Sequence, residues 1–168
     1  SALYSLLDEP EQSLEAAALW RKLDDANEEA HLNYLIVAAQ AGEYAGLTKE
    51  LKRRLSKQQA EPEIALAEVA EFLRRLNRPQ KALEIFQELV AEQSRVSPAL
   101  ISMFLSDFAM YAGDENMAWR KALKALNDKK LSPEVGAMAA MRLLQLSEGP
   151  RNFQALHLVS EYIKNNPT

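Results

Sequence analysis

Residues 76–84, LNRPQKALE, repeat the pattern of residues 7–15, LDEPEQSLE, at a distance of 69 residues. Each stretch has a leucine that can end one helix, then a turn residue, then a proline in the first turn of the next helix. Proline is tolerated there because the first amides of a helix have no intrahelical acceptor. The match therefore predicts two equivalent helix–turn–helix junctions in one chain.

Similar breaks recur along the whole sequence at nearly constant spacing. Asp8, Gly42, Asn77, Gly113 and Gly149 follow one another at intervals of 34, 35, 36 and 36 residues. At these turns we expect a left-handed residue to close the preceding helix. A second set of breaks divides each interval into two stretches, each long enough for one helix. These breaks lie at residues 24–27, 61–62, 97–98 and 132–133.

The composition also favours an all-α fold. Of 168 residues only 5 are glycine, and strong helix formers dominate the rest. No stretch alternates apolar with polar residues, so a β-sheet has little support. The absence of cysteine excludes both a disulfide framework and a thiolate metal site. No apolar run approaches the length of a transmembrane helix, and a net charge of −4 argues against nucleic acid as a partner.

Paired helices at this period resemble the tetratricopeptide repeat family. The resemblance is most specific in residues 63–98, where Ala82 and Phe86 match the Ala-x3-Phe pair of the family's second helix. The first-helix packing positions of that repeat are Leu66, Val69, Ala70 and Leu73. In the last repeat the corresponding expectation falls on Met138, Met141, Ala155 and Leu158, and Arg142 stands, with a poor fit, where the family has a small residue.

The resemblance implies a right-handed α-solenoid of helix–turn–helix repeats in a single domain over residues 1–168. Its parts would be the trailing piece of a repeat at 1–27 and four repeats at 28–62, 63–98, 99–134 and 135–168. Another α-solenoid, such as a HEAT array, is the alternative. Neither end offers a clear polar capping helix, which predicts that the chain is a fragment of a longer protein.

The sequence offers no set of residues expected to catalyse a reaction, and neither a metal nor a cofactor is expected. The two histidines, His31 and His157, fall in different repeats, and both are expected to have structural roles. The glycines are scattered, so no glycine-rich loop could cradle a phosphate. We therefore expect a protein that is not an enzyme.

Two surfaces are candidates for binding a partner. The first is the groove that first helices line in this family, and its candidate residues are Ile36, Glu71, Arg74, Arg75, Met103, Asp107, Met110 and Tyr111. Methionine is flexible and polarizable, so this groove could adapt to a peptide. The alternative is that the methionines pack inside the array. The groove lacks the Lys and Asn set with which the chaperone-tail binders of this family hold a carboxylate.

The second candidate surface is a basic stripe on second helices, which line the convex side in this family. Its residues are Lys49, Lys52, Arg53, Lys121 and Lys124. They could dock an anionic partner, although a basic helix face is more often simply solvated.

Together these features predict a non-catalytic scaffold for protein–protein interaction. Residues 7–14 and 20–23 resemble repeats of bacterial envelope proteins, in particular the periplasmic arm of Pel-type exopolysaccharide exporters. That resemblance implies the bacterial periplasm, with the cytoplasm as alternative, and a periplasmic enzyme or envelope component as partner. The other functions left open are direct binding of an anionic polymer or lipid, and homotypic assembly.

Overall fold

The computed structural model of the protein describes residues 10–24, 27–57, 60–149 and 151–165. Within these residues the regular structure is nine α-helices with no strand, which confirms the predicted all-α class. The helices are α1 (Pro10–Leu23), α2 (Glu28–Gln40), α3 (Tyr44–Lys57), α4 (Pro62–Arg74), α5 (Pro79–Val90), α6 (Pro98–Tyr111), α7 (Glu115–Leu126), α8 (Pro133–Gln145) and α9 (Arg151–Asn165).

The chain divides into two compact units. The first, Ser1–Arg78, contains α1 to α4, and the second, Pro79–Thr168, contains α5 to α9. Within each unit every helix packs against the next one along the chain, and in the second unit α6 also contacts α8. From α2 onwards the helices fall two to each predicted period, with first helices starting within two residues of the predicted boundaries.

Several helices begin where the sequence supplies a proline or a capping side chain. Pro62, Pro98 and Pro133 each occupy the first turn of their helix. The side chain of Asn27 caps α2 by accepting hydrogen bonds from the amides of Glu29 and Ala30, at 3.0 and 3.1 Å. Such caps satisfy amides that have no acceptor within the helix, so they define where each helix starts.

The predicted left-handed turns are present at every described anchor. Gly42, Asn77, Gly113 and Gly149 have φ angles of +107°, +50°, +79° and +54°, whereas Asp8 lies outside the described residues. After α6, the amide of Gly113 donates to Met110 O at 3.0 Å and that of Asp114 donates to Ala109 O at 2.8 Å. The turn after α2 has the same pair of bonds, which together form a Schellman motif.

The core of the first unit is built from leucine and alanine. Ala30 and Ala39 of α2 have no exposed surface, and neither have Leu47 and Leu51 of α3. The predicted packing positions of α4 are also buried, at 0–1% exposure. Small side chains on α2 allow the following helix to approach closely, while the leucines fill the space between the helices.

The second unit contains an aromatic cluster at one end. The rings of Phe86 and Phe108 lie 4.6 Å apart, and that of Phe104 lies 5.8 Å from Phe86. Ala82 and Phe86, the predicted Ala-x3-Phe pair, are both fully buried. The hydroxyl of Ser106, also fully buried, donates a hydrogen bond of 2.9 Å to the carbonyl of Ala118. Helices α6 and α7 therefore pack nearly backbone to backbone at this point.

The structure corrects the predicted register of α8. Met138 and Met141, expected to pack in the core, are 45% and 69% exposed, whereas Ala140 occupies the buried small position. The buried residues of α8 repeat those of α4 at a spacing of 70 residues, not the 72 that the predicted repeat boundaries imply. The turn after α8 is longer than the turns after the other first helices. A constant period consequently misplaces this helix by two residues.

The approach of α9 to α8 depends on Gly136. A Cβ at this position would overlap the ring of Tyr162. The hydroxyl of Tyr162 also donates a 2.9 Å hydrogen bond to the carbonyl of Pro133. Glycine thus lets the aromatic ring lie directly on the α8 backbone. Among the described residues, none of the helices combines the length and apolar character needed to cross a bilayer.

Replacing Gly113 by alanine should lower the free energy of unfolding of the second unit by about 1 kcal/mol, the cost of a left-handed conformation for a residue with a Cβ. A Cβ there would meet no other atom within 4 Å, so the loss would come from φ alone. Denaturant unfolding followed by Trp119 fluorescence in a Trp20→Phe background would measure it. Gly113→Asn should lower the free energy of unfolding less than Gly113→Ala does, because asparagine tolerates this conformation. Equal stability of wild type and Gly113→Ala would contradict the prediction.

Candidate protein-interaction surface

An ion pair joins the first helices of the second unit. Nη2 of Arg142 on α8 lies 2.7 Å from Oδ1 of Asp107 on α6, and the two side chains are 19% and 24% exposed. A pair so little exposed is less screened by solvent than an ordinary surface pair. The Nη1 atom of Arg142 is buried and has no hydrogen-bond partner among the described residues. The pair therefore holds α6 and α8 together while leaving one donor unsatisfied.

Exposed apolar side chains flank this ion pair. Met138, which is 45% exposed, lies one turn before Arg142 on the same side of α8. Tyr111, which is 40% exposed, lies one turn after Asp107 on the same side of α6. We call these four residues, Asp107, Tyr111, Met138 and Arg142, the α6–α8 surface.

The chemistry of the α6–α8 surface suits a peptide or protein segment. Tyrosine and arginine are the residue types that most often dominate binding energy at protein interfaces. Methionine adds an apolar contact that can change shape. The partly buried charges can orient a partner, because a wrongly placed charge beside them would be penalised. These four residues therefore combine the features of a binding surface.

The structure separates the candidate groove residues of the second unit into surface and core. Asp107 and Tyr111 belong to the α6–α8 surface. Met110 is partly buried and packs against the hydrophobic core of the unit. Met103 is only 1% exposed and is part of that core. Met103 therefore cannot line a binding groove as expected, because α8 covers the side of α6 on which it lies.

The candidate groove residues of the first unit are also divided. Ile36 is 6% exposed and belongs to the core, so it offers no binding surface. Glu71 and Arg74 are exposed and form an ion pair of 3.5 Å within α4. The Arg75 guanidinium lies 5.5 Å from the centre of the Phe72 ring. These charges are occupied by neighbours on their own helix and do not surround an apolar patch.

The basic residues of α3 are partly engaged in holding the first unit together. Lys49 is exposed and Lys52 is half-buried. Arg53 makes a bidentate pair with Glu50, with Nε 2.6 Å from Oε2 and Nη2 2.5 Å from Oε1. This pair raises the pKa of Arg53. Arg53 of the predicted basic stripe is therefore paired with a carboxylate of its own helix.

Glu50 is the centre of a charge network that links three helices. Its side chain is 9% exposed and also accepts a 3.2 Å hydrogen bond from Arg54. Arg54 in turn bonds to Glu28 of α2 at 3.2 Å, and its guanidinium lies 5.5 Å from the ring centre of Phe72 on α4. The hydrogen bond from Arg53 lowers the pKa of Glu50, although burial acts in the opposite direction. Both arginine charges lower it further.

The remaining basic candidates, Lys121 and Lys124, lie on α7 in the second unit. Lys121 is half-buried, and Lys124 and Arg120 are exposed. Burial lowers the pKa of Lys121, and the positive charges of Lys124 and Arg120 lower it further. Among the described residues no carboxylate forms an ion pair with these three side chains. The α7 cations therefore form a patch of uncompensated positive charge, separate from the basic residues of α3.

Neither histidine occupies a site with evident chemistry. His31 is half-buried on α2, as expected for a packing residue. His157 is exposed, contrary to the expected partial burial, and its Nε2 lies 3.8 Å from a carboxylate oxygen of Glu161 one turn later. Two side chains do not make a metal site, and the described part of the chain holds no group of three potential ligands.

Two residues of the α6–α8 surface, Met138 and Arg142, are not predicted as site residues by the sequence analysis. The predicted repeat places Arg142 where the family has a small residue and places Met138 in the core. Both assignments follow from the constant period, which puts α8 two residues out of register. The sequence nevertheless contains one signal for the ion pair. Asp107 and Arg142 carry opposite charges 35 residues apart, one period, on successive first helices.

Comparison with known proteins assigns no family to this chain. No protein-family model, no curated protein and no solved structure matches it. Its function must therefore be inferred from the geometry and chemistry of its own surfaces.

Replacing Glu50 by glutamine should destabilise the first unit by about 1–3 kcal/mol at neutral pH, because two arginines lose a buried charged acceptor. A lowered pKa in the folded state means that Glu50 contributes stability above its ordinary pKa of 4.5. That contribution is lost as the pH falls through the lowered value. The difference between wild type and Glu50→Gln should therefore shrink below pH 4.5.

Denaturant unfolding of the first unit, followed by Trp20 fluorescence in a Trp119→Phe background, would measure this difference at a series of pH values. Glu71→Gln is the matched control, since Glu71 pairs with Arg74 in the same unit but is 69% exposed. The control should change stability little, because solvent screens exposed pairs. Equal effects of the two substitutions would show that the Glu50 network stabilises the first unit no more than an exposed ion pair does.

Proposed function

We propose that this protein is a non-catalytic scaffold that binds a segment of a partner protein on its α6–α8 surface. The observation that carries the proposal is the exposure of Met138 and Tyr111 on either side of the Asp107–Arg142 ion pair. Exposed apolar side chains around a rigidly held charge pair combine affinity with selectivity. Because the pair bridges two helices, the surface is preorganised and costs little entropy to order on binding.

The proposal includes a specific architecture and setting. The repeats would be tetratricopeptide-like units forming a right-handed solenoid, an idea that rests on the 34–36-residue spacing and on two helices per period. The resemblance of residues 7–14 and 20–23 to envelope proteins motivates a place in a bacterial exopolysaccharide export assembly. The partner would then be a periplasmic enzyme or another envelope component.

A selection of displayed random peptides on the wild-type protein would test the binding surface. The selected peptides should bind Met138→Glu and Tyr111→Ala at least about tenfold more weakly than wild type, because such residues carry most of the binding energy. Ile64→Glu is the control, since Ile64 is an exposed apolar residue on α4 of the other unit and belongs to no proposed binding surface. Titration calorimetry would give the affinities. Peptides that bind both surface variants as tightly as wild type would rule out the α6–α8 surface.

A second candidate function is binding of an anionic polymer, and one observation favours it. Lys121, Lys124 and Arg120 lie within two turns of α7, and burial together with the repulsion from the other two charges lowers the pKa of Lys121. An anionic ligand would relieve this repulsion. The attraction would be electrostatic, so it would weaken as salt is added.

Binding of alginate, a carboxylated polysaccharide, would test this second function. The double variant Lys121→Gln/Lys124→Gln should bind several-fold more weakly than wild type at low salt, and added salt should remove the difference. Lys49→Gln/Lys52→Gln, on α3 of the other unit, is the control with the same change of net charge. The idea fails if the α7 variant binds as well as the control, or if the affinity of wild type does not depend on salt.

A further inference from the structure

A second group of exposed apolar side chains lies on α8 and α9 and includes none of the four residues of the α6–α8 surface. Met141 and Leu144 of α8 are 69% and 41% exposed, and Leu156 and Ile163 of α9 are 53% and 61% exposed. We call these four residues the α8–α9 face. Such a concentration of exposed apolar side chains on two adjacent helices is unusual for a surface that faces only water.

The preceding helices show what normally covers such positions. Aligning the ends of α6 and α8 places Met103 and Met110 of α6 at the positions of Ala137 and Leu144 of α8. Met103 is buried and Met110 packs against the core, because α8 lies against this side of α6. Asp107 corresponds to Met141, and it is bonded to Arg142 of the covering helix. Ala137 and Leu144 of α8 are exposed, so within the described residues no helix covers this side of α8 as α8 covers α6.

The same relation holds between α7 and α9. Ala118 and Ala155 are equivalent, fully buried residues of these two helices. The next residue is Trp119 in α7, which is 7% exposed and belongs to the core, but it is Leu156 in α9, which is 53% exposed. Seven residues further on, Leu126 is half-buried whereas Ile163 is 61% exposed. The residues of α6 and α7 at the equivalent positions are covered by the helices that follow them. The α8–α9 face is therefore suited to contact a helix with an apolar stripe.

The first unit presents such a helix. Along α1, Leu19, Trp20 and Leu23 are 58%, 42% and 77% exposed, and with Ala16 they form a stripe at helical spacing. The opposite side of α1 packs against α2, where the Arg21 guanidinium lies 4.1 Å from the centre of the Tyr34 ring. We call Ala16, Leu19, Trp20 and Leu23 the α1 stripe.

We propose that two copies of this chain associate head to tail, with the α1 stripe of one copy packed on the α8–α9 face of the next. Both surfaces are apolar and uncharged. They also match in length, because Ala16 and Leu23 are seven positions apart, as are Leu156 and Ile163, a distance of roughly 10 Å along a helix. The contact is heterologous, so each associated pair retains one free surface of each kind and can add further copies. This inference does not rest on the proposed function, since it involves none of the four residues of the α6–α8 surface.

Analytical ultracentrifugation over a range of protein concentrations would test the proposal. The weight-average mass of wild type should rise with concentration, and the emission of Trp20 should shift to shorter wavelength as it becomes buried. Leu23→Glu and Leu156→Glu should each remain monomeric, because each lacks one of the two surfaces. An equal mixture of the two variants should form a one-to-one dimer and nothing larger, since each variant supplies the surface that the other lacks.

Three results with wild type and these two variants would overturn the proposal. The first is a wild type that is monomeric at every concentration, which would leave the α8–α9 face to a different partner. The second is either variant associating like wild type. The third is a mixture of the two variants that stays monomeric. Circular dichroism would verify that the variants are folded, and Ile163→Glu would replace Leu156→Glu if that variant were not. Ile64→Glu, which places a charge at an exposed apolar residue of α4 outside both surfaces, should associate like wild type. Loss of association in Ile64→Glu would place the contact elsewhere and would also overturn the proposal.

Discussion

The structure depends on how closely consecutive helices approach each other, and small residues at the crossing points set that distance. Ser106 and Ala118 bring α6 and α7 together closely enough for a side-chain hydroxyl to bond directly to a backbone carbonyl of the other helix. Gly136 lets the ring of Tyr162 lie on the backbone of α8. A larger side chain at either place would separate the helices, and the dispersion contacts along their whole length would weaken together.

Close packing also determines which charges are removed from water. Glu50 is almost fully buried, and it remains ionised because two arginines from the same helix surround it. The Asp107–Arg142 pair is desolvated for a similar reason, since each side chain lies in the angle between two packed helices. Charges in such places need well-aligned partners, because the desolvation of an unpaired charge costs more than a surface pair returns. For the same reason the Glu50 network stabilises the first unit, whereas the Asp107–Arg142 pair is a rigid feature of an exposed surface in the second unit.

The two surfaces assigned to binding differ in the interactions they offer. The α6–α8 surface combines apolar side chains with a fixed pair of charges, which favours one orientation of a bound segment. The α8–α9 face carries no charge among its four residues, and it repeats positions that are buried elsewhere in the same unit. Uncharged apolar surfaces contribute affinity in proportion to their area but discriminate little between partners. For this reason the first surface suits recognition of another protein, and the second suits packing against a helix of the kind this chain already contains.

Local sequence determined the helices and the turns of this protein. Proline at the first turn and a left-handed residue at the end act within a few residues, so Pro62, Pro98, Gly113 and Asn77 could be interpreted without knowledge of the fold. The resemblance to tetratricopeptide repeats, not the spacing alone, named Asp107 and Tyr111 as groove residues of α6. Burial and pairing were decided by tertiary structure alone, because they depend on residues a full period or more away. The turn after α8 is longer than the others, so repeat boundaries counted along the sequence place this helix two residues out of register. In the structure Met138 is exposed, Arg142 pairs with Asp107, and Met103 is buried in the core.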